Sequence, residues 1–189
     1  MLNANATRVK PLLLSTLLLA YGAVALPAAT LERLSLDDLI AKSTTIVRAK
    51  ILNSFTAVSG PIVYTHYRIQ TSETLKGTGA VEFQLPGGIA NHMRQTFSGV
   101  PQFHPGDEYV FFLWTGKSGS TQVMGLTQGL FSVAPGGAAD PLTTRAASHE
   151  VMLDRGSGKE VRDQTLTMHL SALRARIRAT LAGNPGAAK

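Results

Sequence analysis

The side chains of this chain best suited to acid–base or metal chemistry are its five histidines: His66, His92, His104, His149 and His169. None stands in an H-x-H or H-E-x-x-H arrangement, which would put two imidazoles on one metal ion. His92 and His104 share one loop, and Asp107 follows closely. These three make the one set from which a two-histidine, one-carboxylate zinc site, and with it a metal-dependent hydrolase, could be assembled. The plainer reading is that they are surface or hydrogen-bonded loop histidines, and no metal or other cofactor is expected. The acidic pairs have structural explanations. Asp37-Asp38 suits a helix start, and Asp107-Glu108 follows Pro105-Gly106 in a turn. Ser98 lacks the preceding glycine of a nucleophile elbow. Gly156-Ser157-Gly158-Lys159 ends like a phosphate-binding loop, but Leu153 and Glu160 stand where that motif needs glycine and a hydroxyl. It reads as a glycine-rich hairpin turn. No catalytic set emerges, so a non-enzymatic role is favoured over the alternative of a metal-dependent or other hydrolase.

The segment Pro86 to Gly106 (PGGIANHMRQTFSGVPQFHPG) is the strongest candidate for function. A connection of this length without obvious regular structure is usually functional or disordered. Ile89, Met93, Phe97, Val100 and Phe103 argue against disorder, because such segments are poor in large apolar residues. The loop therefore either plugs one end of the fold or presents an apolar recognition surface, and different side chains can do each. Arg94, Phe97 and Phe103 are the expected contact residues, with His92 and His104 adding polar contacts.

The elements that must position this loop follow from periodicity. Val47, Ala49 and Ile51 alternate with Arg48 and Lys50 over Thr45 to Leu52. Ile62 to Leu75 sets Val63, Thr65, Tyr67, Ile69 and Thr71 against His66, Arg68, Gln70 and Ser72, the period of two of a half-buried strand. Val81, Phe83 and Leu85 continue the pattern after Lys76-Gly77-Thr78-Gly79. Glu108 to Thr115 carries YVFFLW, apolar on both faces, so both faces are expected to be covered. Thr121 to Val133, interrupted by Gly125 and Gly129, supplies one bent strand or two short ones. A small hairpin is expected at His149–Leu153 and Lys159–Arg162. Thr30 to Lys42 reads as a short helix with Ser35 as cap, and about Thr165 to Leu181 as a helix with an apolar stripe of Leu166, Leu170, Leu173, Ile177 and Leu181. The fold class expected is mainly β: a small antiparallel, closed or nearly closed barrel of about five or six strands, because closure removes sheet edges. A short N-terminal helix and a C-terminal amphipathic helix flank it.

The N-terminus reads as a targeting segment. Arg8 and Lys10 precede the uncharged run Pro11 to Ala20, and Ala23-Val24-Ala25 offers the small residues of a cleavage site after Ala25, with Ala29 as second choice. The apolar run is too short to span a bilayer, and no spanning stretch follows. The expected organisation is a signal peptide at 1–25, a segment with the short helix at 26–44, the barrel core at 45–134, a glycine-rich break and small hairpin at 135–164, and the C-terminal helix and tail at 165–189. The chain has no cysteine, which excludes disulfides, thiolate metal sites and a lipid-modified cysteine. Its 18 Lys+Arg against 12 Asp+Glu give +6, which falls to +4 without Arg8 and Lys10. Those charges form no stripe with interleaved aromatics, so no nucleic-acid partner is expected. The basic C-terminal helix leaves room for peripheral contact with an anionic envelope surface, and for a structural envelope role. The expected location is periplasmic or extracellular, on a bacterial envelope, with an unidentified protein as partner.

Three segments together resemble a known family. They are Thr44 to Ile51 (TTIVRAKI), Tyr67-Arg68-Ile69 followed by Leu75-Lys76-Gly77, and Pro105 to Val110 (PGDEYV) leading into the aromatic strand. Their order, from Ser43 to Val133, resembles the netrin-like barrel of the tissue inhibitors of metalloproteinases, an OB-fold. The resemblance implies a small barrel and a possible role in modulating a secreted protease. Those inhibitors chelate the target's zinc through an N-terminal cysteine. None exists here, so that mechanism is not implied, and no inhibitory residue carries over.

Overall fold

The computed structural model describes residues 30–183. The targeting segment expected at 1–25, with its alternative cleavage point Ala29, lies outside the described residues. In chain order the elements are β1 (Thr30–Glu32), α1 (Leu36–Lys42), β2 (Thr45–Ser59), β3 (Ile62–Lys76), β4 (Glu82–Pro86), β5 (Gly88–Ala90), β6 (Met93–Gln95), β7 (Glu108–Thr115), β8 (Thr121–Val123), β9 (Leu130–Val133), β10 (Leu142–Arg145), β11 (Val151–Leu153), β12 (Glu160–Val161), β13 (Leu166–His169) and α2 (Leu170–Gly183). A single 3-10 turn, Leu126–Gly129, joins β8 to β9.

The main sheet has eight strands in the order β13-β10-β9-β7-β2-β3-β4, with β8 also pairing β7. All its ladders are antiparallel. Its longest unit is the β2–β3 hairpin, whose turn at Gly60 adopts a left-handed φ of 58°. The period of two stops being readable past Ile51 because Leu52 is an extra residue. Ile51 pairs with Ile69 and Asn53 with Arg68, so a bulge reverses the facing of the rest of β2. The sheet does not close into a barrel. β4 and β8 approach each other without a ladder, and Gln84 Nε2 donates to Ser120 Oγ across the gap at 2.6 Å. A further departure is that β10 and β13, from beyond residue 134, extend the same sheet.

Two cores lie on the two faces of the sheet. The concave side holds Val47, Ala49, Ile51, Tyr67, Ile69, Phe83, Leu85, Phe111 and Leu113. The convex side places Ile46, Val110, Phe112, Phe131 and Val133 beneath Leu39 and Ile40 of α1 and Leu170, Leu173 and Ile177 of α2. The run YVFFLW is thus covered on both faces through Leu113, after which Trp114 emerges half-exposed. Val81, expected to face inward with Phe83 and Leu85, lies outside β4 and is 77% exposed.

The helices start later than their patterns suggest. Ser35 caps α1 in a full capping box, its Oγ accepting from Asp38 N at 3.0 Å while Asp38 Oδ2 accepts from Ser35 N at 3.2 Å. Thr30–Glu32, ahead of that cap, is instead a strand parallel to β11. Lys76 Nζ closes the other end of α1 by donating to the carbonyls of Ile40 and Ala41 at 2.7 and 3.0 Å. Leu166–His169, expected in the C-terminal helix, pairs with β10 as a strand. α2 begins at Leu170, where Ser171 N donates to Asp140 Oδ1 at 2.8 Å and Leu170 N to Pro141 O at 2.9 Å. Its cap is thus supplied from about 30 residues upstream in the glycine-rich break. The apolar stripe of α2 is spent on the convex core, and Arg174 and Arg176 bind Glu73 and Asp37 from the polar side. Among the described residues no helix is long and apolar enough to cross a membrane.

Candidate functional site

Pro86 to Gly106 is an ordered excursion with a hairpin of its own. β5 and β6 pair through Gly88↔Gln95, Ile89↔Arg94 and Ala90↔Met93. Asn91 and His92 turn the chain, both left-handed at φ 49° and 62°, the backbone of a two-residue primed turn. Sequence reasoning missed this hairpin because Asn-His is a weak substitute for the Asn-Gly that normally signals it.

Backbone and side-chain hydrogen bonds fasten the hairpin across the inner face of the β2–β3 tip. Gly87 N donates to Val63 O at 2.7 Å, Thr65 Oγ1 to Gly87 O at 2.8 Å and Thr56 Oγ1 to Ile89 O at 2.6 Å. Gln95 clamps the other strand, with Oε1 accepting from Val63 N at 2.7 Å and Nε2 donating to Pro61 O at 2.9 Å. Gly88 makes this approach possible. A Cβ there would sit 2.7 Å from Thr65 Oγ1 and 2.8 Å from Thr56 Cγ2, and its φ of 134° also requires glycine.

The second half of the loop is anchored differently. Ser98 Oγ donates to Glu150 Oε1 at 2.9 Å, tying the loop to the start of β11. Phe103 turns inward, 8% exposed, and meets Tyr67, Phe83, Tyr109 and Phe111 with ring centroids 5.0 to 5.8 Å apart, mostly edge-to-face. Burial pushes the Tyr67 hydroxyl above its ordinary pKa, opposed by a backbone hydrogen bond at Phe103. Gly106 N then donates to Ile51 O at 2.9 Å, and Ile51 N to Asp107 O at 2.9 Å, returning the chain to the sheet.

The expected contact residues therefore divide. Phe97 is 40% exposed, and Ile89 and Met93 on the hairpin are exposed as well. Arg94 and His92 are exposed on the hairpin, and His104 is exposed at the loop's far end. Phe103 is interior, so its part is to hold the loop in place. No Asp or Glu occurs between Pro86 and Gly106, which leaves Arg94 as the loop's one fixed charge. Under the loop runs a groove of about 290 Å³, with Thr65, Pro86, Gln95, Phe97, Val100 and Gln102 among its walls.

The histidines of this loop are not brought into a metal set. His104 Nδ1 lies 3.7 Å from Asp107 Oδ2, whose carboxylate is engaged by His104 N at 2.8 Å. His92 occupies the hairpin turn. Among the described residues no group of three or more His, Asp or Glu side chains is placed to hold a metal ion. The Gly156–Lys159 segment closes the β11–β12 hairpin, where Asp154 Oδ1 accepts from Ser157 N and Ser157 Oγ at 2.8 and 2.7 Å. Those bonds hold the Asp154 carboxyl below its ordinary pKa.

Sequence reasoning passed over one polar cluster. His66 Nδ1 lies 2.9 Å from Glu82 Oε1, the imidazole stacks on Phe55 at 4.8 Å, and Arg68 lies over the other ring at 5.3 Å. Both His66 and Glu82 stand on the polar phases of neighbouring strands, which was a usable signal. Only the β3–β4 register, invisible in the sequence, brings them together. The chain matches no protein-family model and no curated protein.

Proposed function

We propose that this chain is an exported, non-enzymatic binding module that meets a protein partner through the Pro86–Gly106 excursion. The observation that carries the reading is the division of labour within that segment. Its hydrogen bonds, Val100 and Phe103 fix it to the sheet, while Ile89, Met93 and Phe97 stay exposed, with Ile89 directly across the hairpin from Arg94. A contiguous exposed apolar patch marks a contact surface, the role proposed for these side chains. An aromatic and an arginine are also the residue types that most often dominate binding energy. The absence of acid in the segment suits a partner whose apolar patch is rimmed by carboxylates.

The curl of β4-β3-β2-β7-β8 around one aromatic core supports the finer reading of a small OB-like barrel with one unpaired seam. That arrangement is in keeping with the resemblance to the netrin-like domain, and a secreted protease or other envelope protein is the partner class it suggests. The leader-like residues 1–25 support export to the periplasm or beyond.

The test is a paired capture from envelope and culture-fluid extracts. The baits are the native chain and an Ile89→Ser/Met93→Ser/Phe97→Ser variant shown to be folded. The reading expects a protein retained by the native bait and lost with the variant. Equal retention by both baits, or none by either, would refute it.

A further inference from the structure

We propose that the cleft under the β7–β8 turn is a second binding site, for neutral oligosaccharides. This cleft is an open depression of about 460 Å³ at the seam of the sheet, apart from the loop site. Its volume falls in the range of small-ligand sites. Its walls are His66, Glu82 and Gln84 from β3 and β4, and Ser118, Ser120 and Thr121 from the turn and β8.

The polar groups are fixed in place. Across the β3–β4 ladder Arg68 faces Glu82 and His66 faces Gln84, so all four share the convex face. The imidazole of His66 is oriented by Glu82 at 2.9 Å and by stacking on Phe55. Gln84 Nε2 is held by Ser120 Oγ at 2.6 Å, which leaves its carbonyl oxygen and its second amide proton for a ligand. Glu82 Oε2 lies 3.7 Å from Arg68 Nε, so the carboxylate is balanced by its neighbour. The cleft therefore offers no unmatched fixed charge to attract an ion.

What it offers is a set of planar amide and carboxylate acceptors next to hydroxyls that both donate and accept. Vicinal hydroxyls need that combination, because each gives one proton and takes up to two. A preorganised polar set keeps the entropic cost of binding them low. Apolar ligands find little here, since the one large apolar wall residue, Phe83, is turned into the concave core.

The experiment titrates the purified protein with cellobiose, chitobiose and maltotriose while amide and side-chain NH signals are recorded. Expected are saturable shifts at the Gln84 carboxamide and the Gly119 and Ser120 amides, with Kd on the order of 1 mM for at least one sugar. Gln84→Ala should weaken that binding by roughly tenfold, as should Glu82→Gln, while Phe97→Ala leaves it unchanged. Three saccharides without a saturable shift in this cleft would overturn the proposal. So would an unchanged affinity in Gln84→Ala and Glu82→Gln proteins that retain the native spectrum.

Discussion

Phe97 and Phe103 are six positions apart in one loop and have opposite surroundings, and that contrast governs what their removal does. Phe103 contacts four other aromatic rings and is nearly fully buried. Phe103→Ala should cost about 3–5 kcal/mol of unfolding free energy, the range for emptying a buried aromatic site. Phe97→Ala should cost under about 1 kcal/mol, as for a half-exposed side chain, and should abolish partner capture. Urea denaturation of both variants checks the first statement, and a Phe97→Ala loss as large as that of Phe103→Ala would contradict it. The composition of the loop made both aromatics visible as functional candidates. It did not separate them, because which side an irregular segment turns inward depends on anchors far along the chain. Here those anchors are Val63, Ile51 and Glu150. The His66–Glu82 pair was hidden for the same reason, since a strand pairing brings it together across 16 residues.

At the scale of elements, local signals succeeded where the element is capped and patterned by its own residues. The Ser35–Asp38 box and the alternation of β3 were both legible in the sequence. They failed where the neighbour is remote. The start of α2 is set by Asp140, which accepts from both Ser171 N and Ser171 Oγ, so residues 166–169 are released to pair with β10. Asp140, Asp37 and Asp38 are all held below the ordinary aspartate range, Asp140 chiefly by Ser171, Asp37 by Arg176 and Asp38 by Ser35. A carboxyl whose folded pKa is depressed adds stability above its unfolded value, near about 3.9, and loses it as pH falls through the folded one. The Tm should therefore fall as pH drops below about 4. Asp140→Asn should lower Tm at neutral pH and make the acid decline shallower. A variant with the native Tm and acid profile would show that the remote cap is immaterial. Arg145 on β10 presents a second remote contact. It is 2% exposed and donates to Asp163 Oδ1 at 2.6 Å and to Gln164 O at 3.0 Å, while Asp163 Oδ2 accepts from Ser148 N. Arg145→Met strands a buried carboxylate and should cost about 3–5 kcal/mol, much of it recovered in the Arg145→Met/Asp163→Leu double variant. Chemical denaturation of the two proteins decides this, and equal losses in both would count against it.

For the whole molecule, the mainly β class and the covered central strand were readable from hydrophobic periodicity alone. The extent of the sheet was not. β10 (LTTR) and β13 (LTMH) are short and nearly patternless, and they join the sheet only because β9 offers an edge and α2 covers the result. Closure was not readable either, since the gap between β4 and β8 depends on how far the β2–β3 hairpin coils past its bulge. The assembled molecule is a two-sided scaffold, with one core sealed by helices and the other roofed by the loop that carries the proposed contact surface. The proposed export makes a simple mass prediction. Protein recovered from outside the cytoplasm should begin at Leu26, and an intact chain of 20.1 kDa there would contradict cleavage after Ala25.

The central claim is that the loop's exposed apolar side chains meet a partner, and site-specific photo-crosslinking in the source cells tests it most directly. A photoreactive phenylalanine analogue at position 97 would be compared with one at position 81, where Val81 is even more exposed and lies outside the Pro86–Gly106 loop. The account predicts a discrete protein adduct from position 97 and none from position 81. No adduct from position 97, or the same adducts from both, would contradict it.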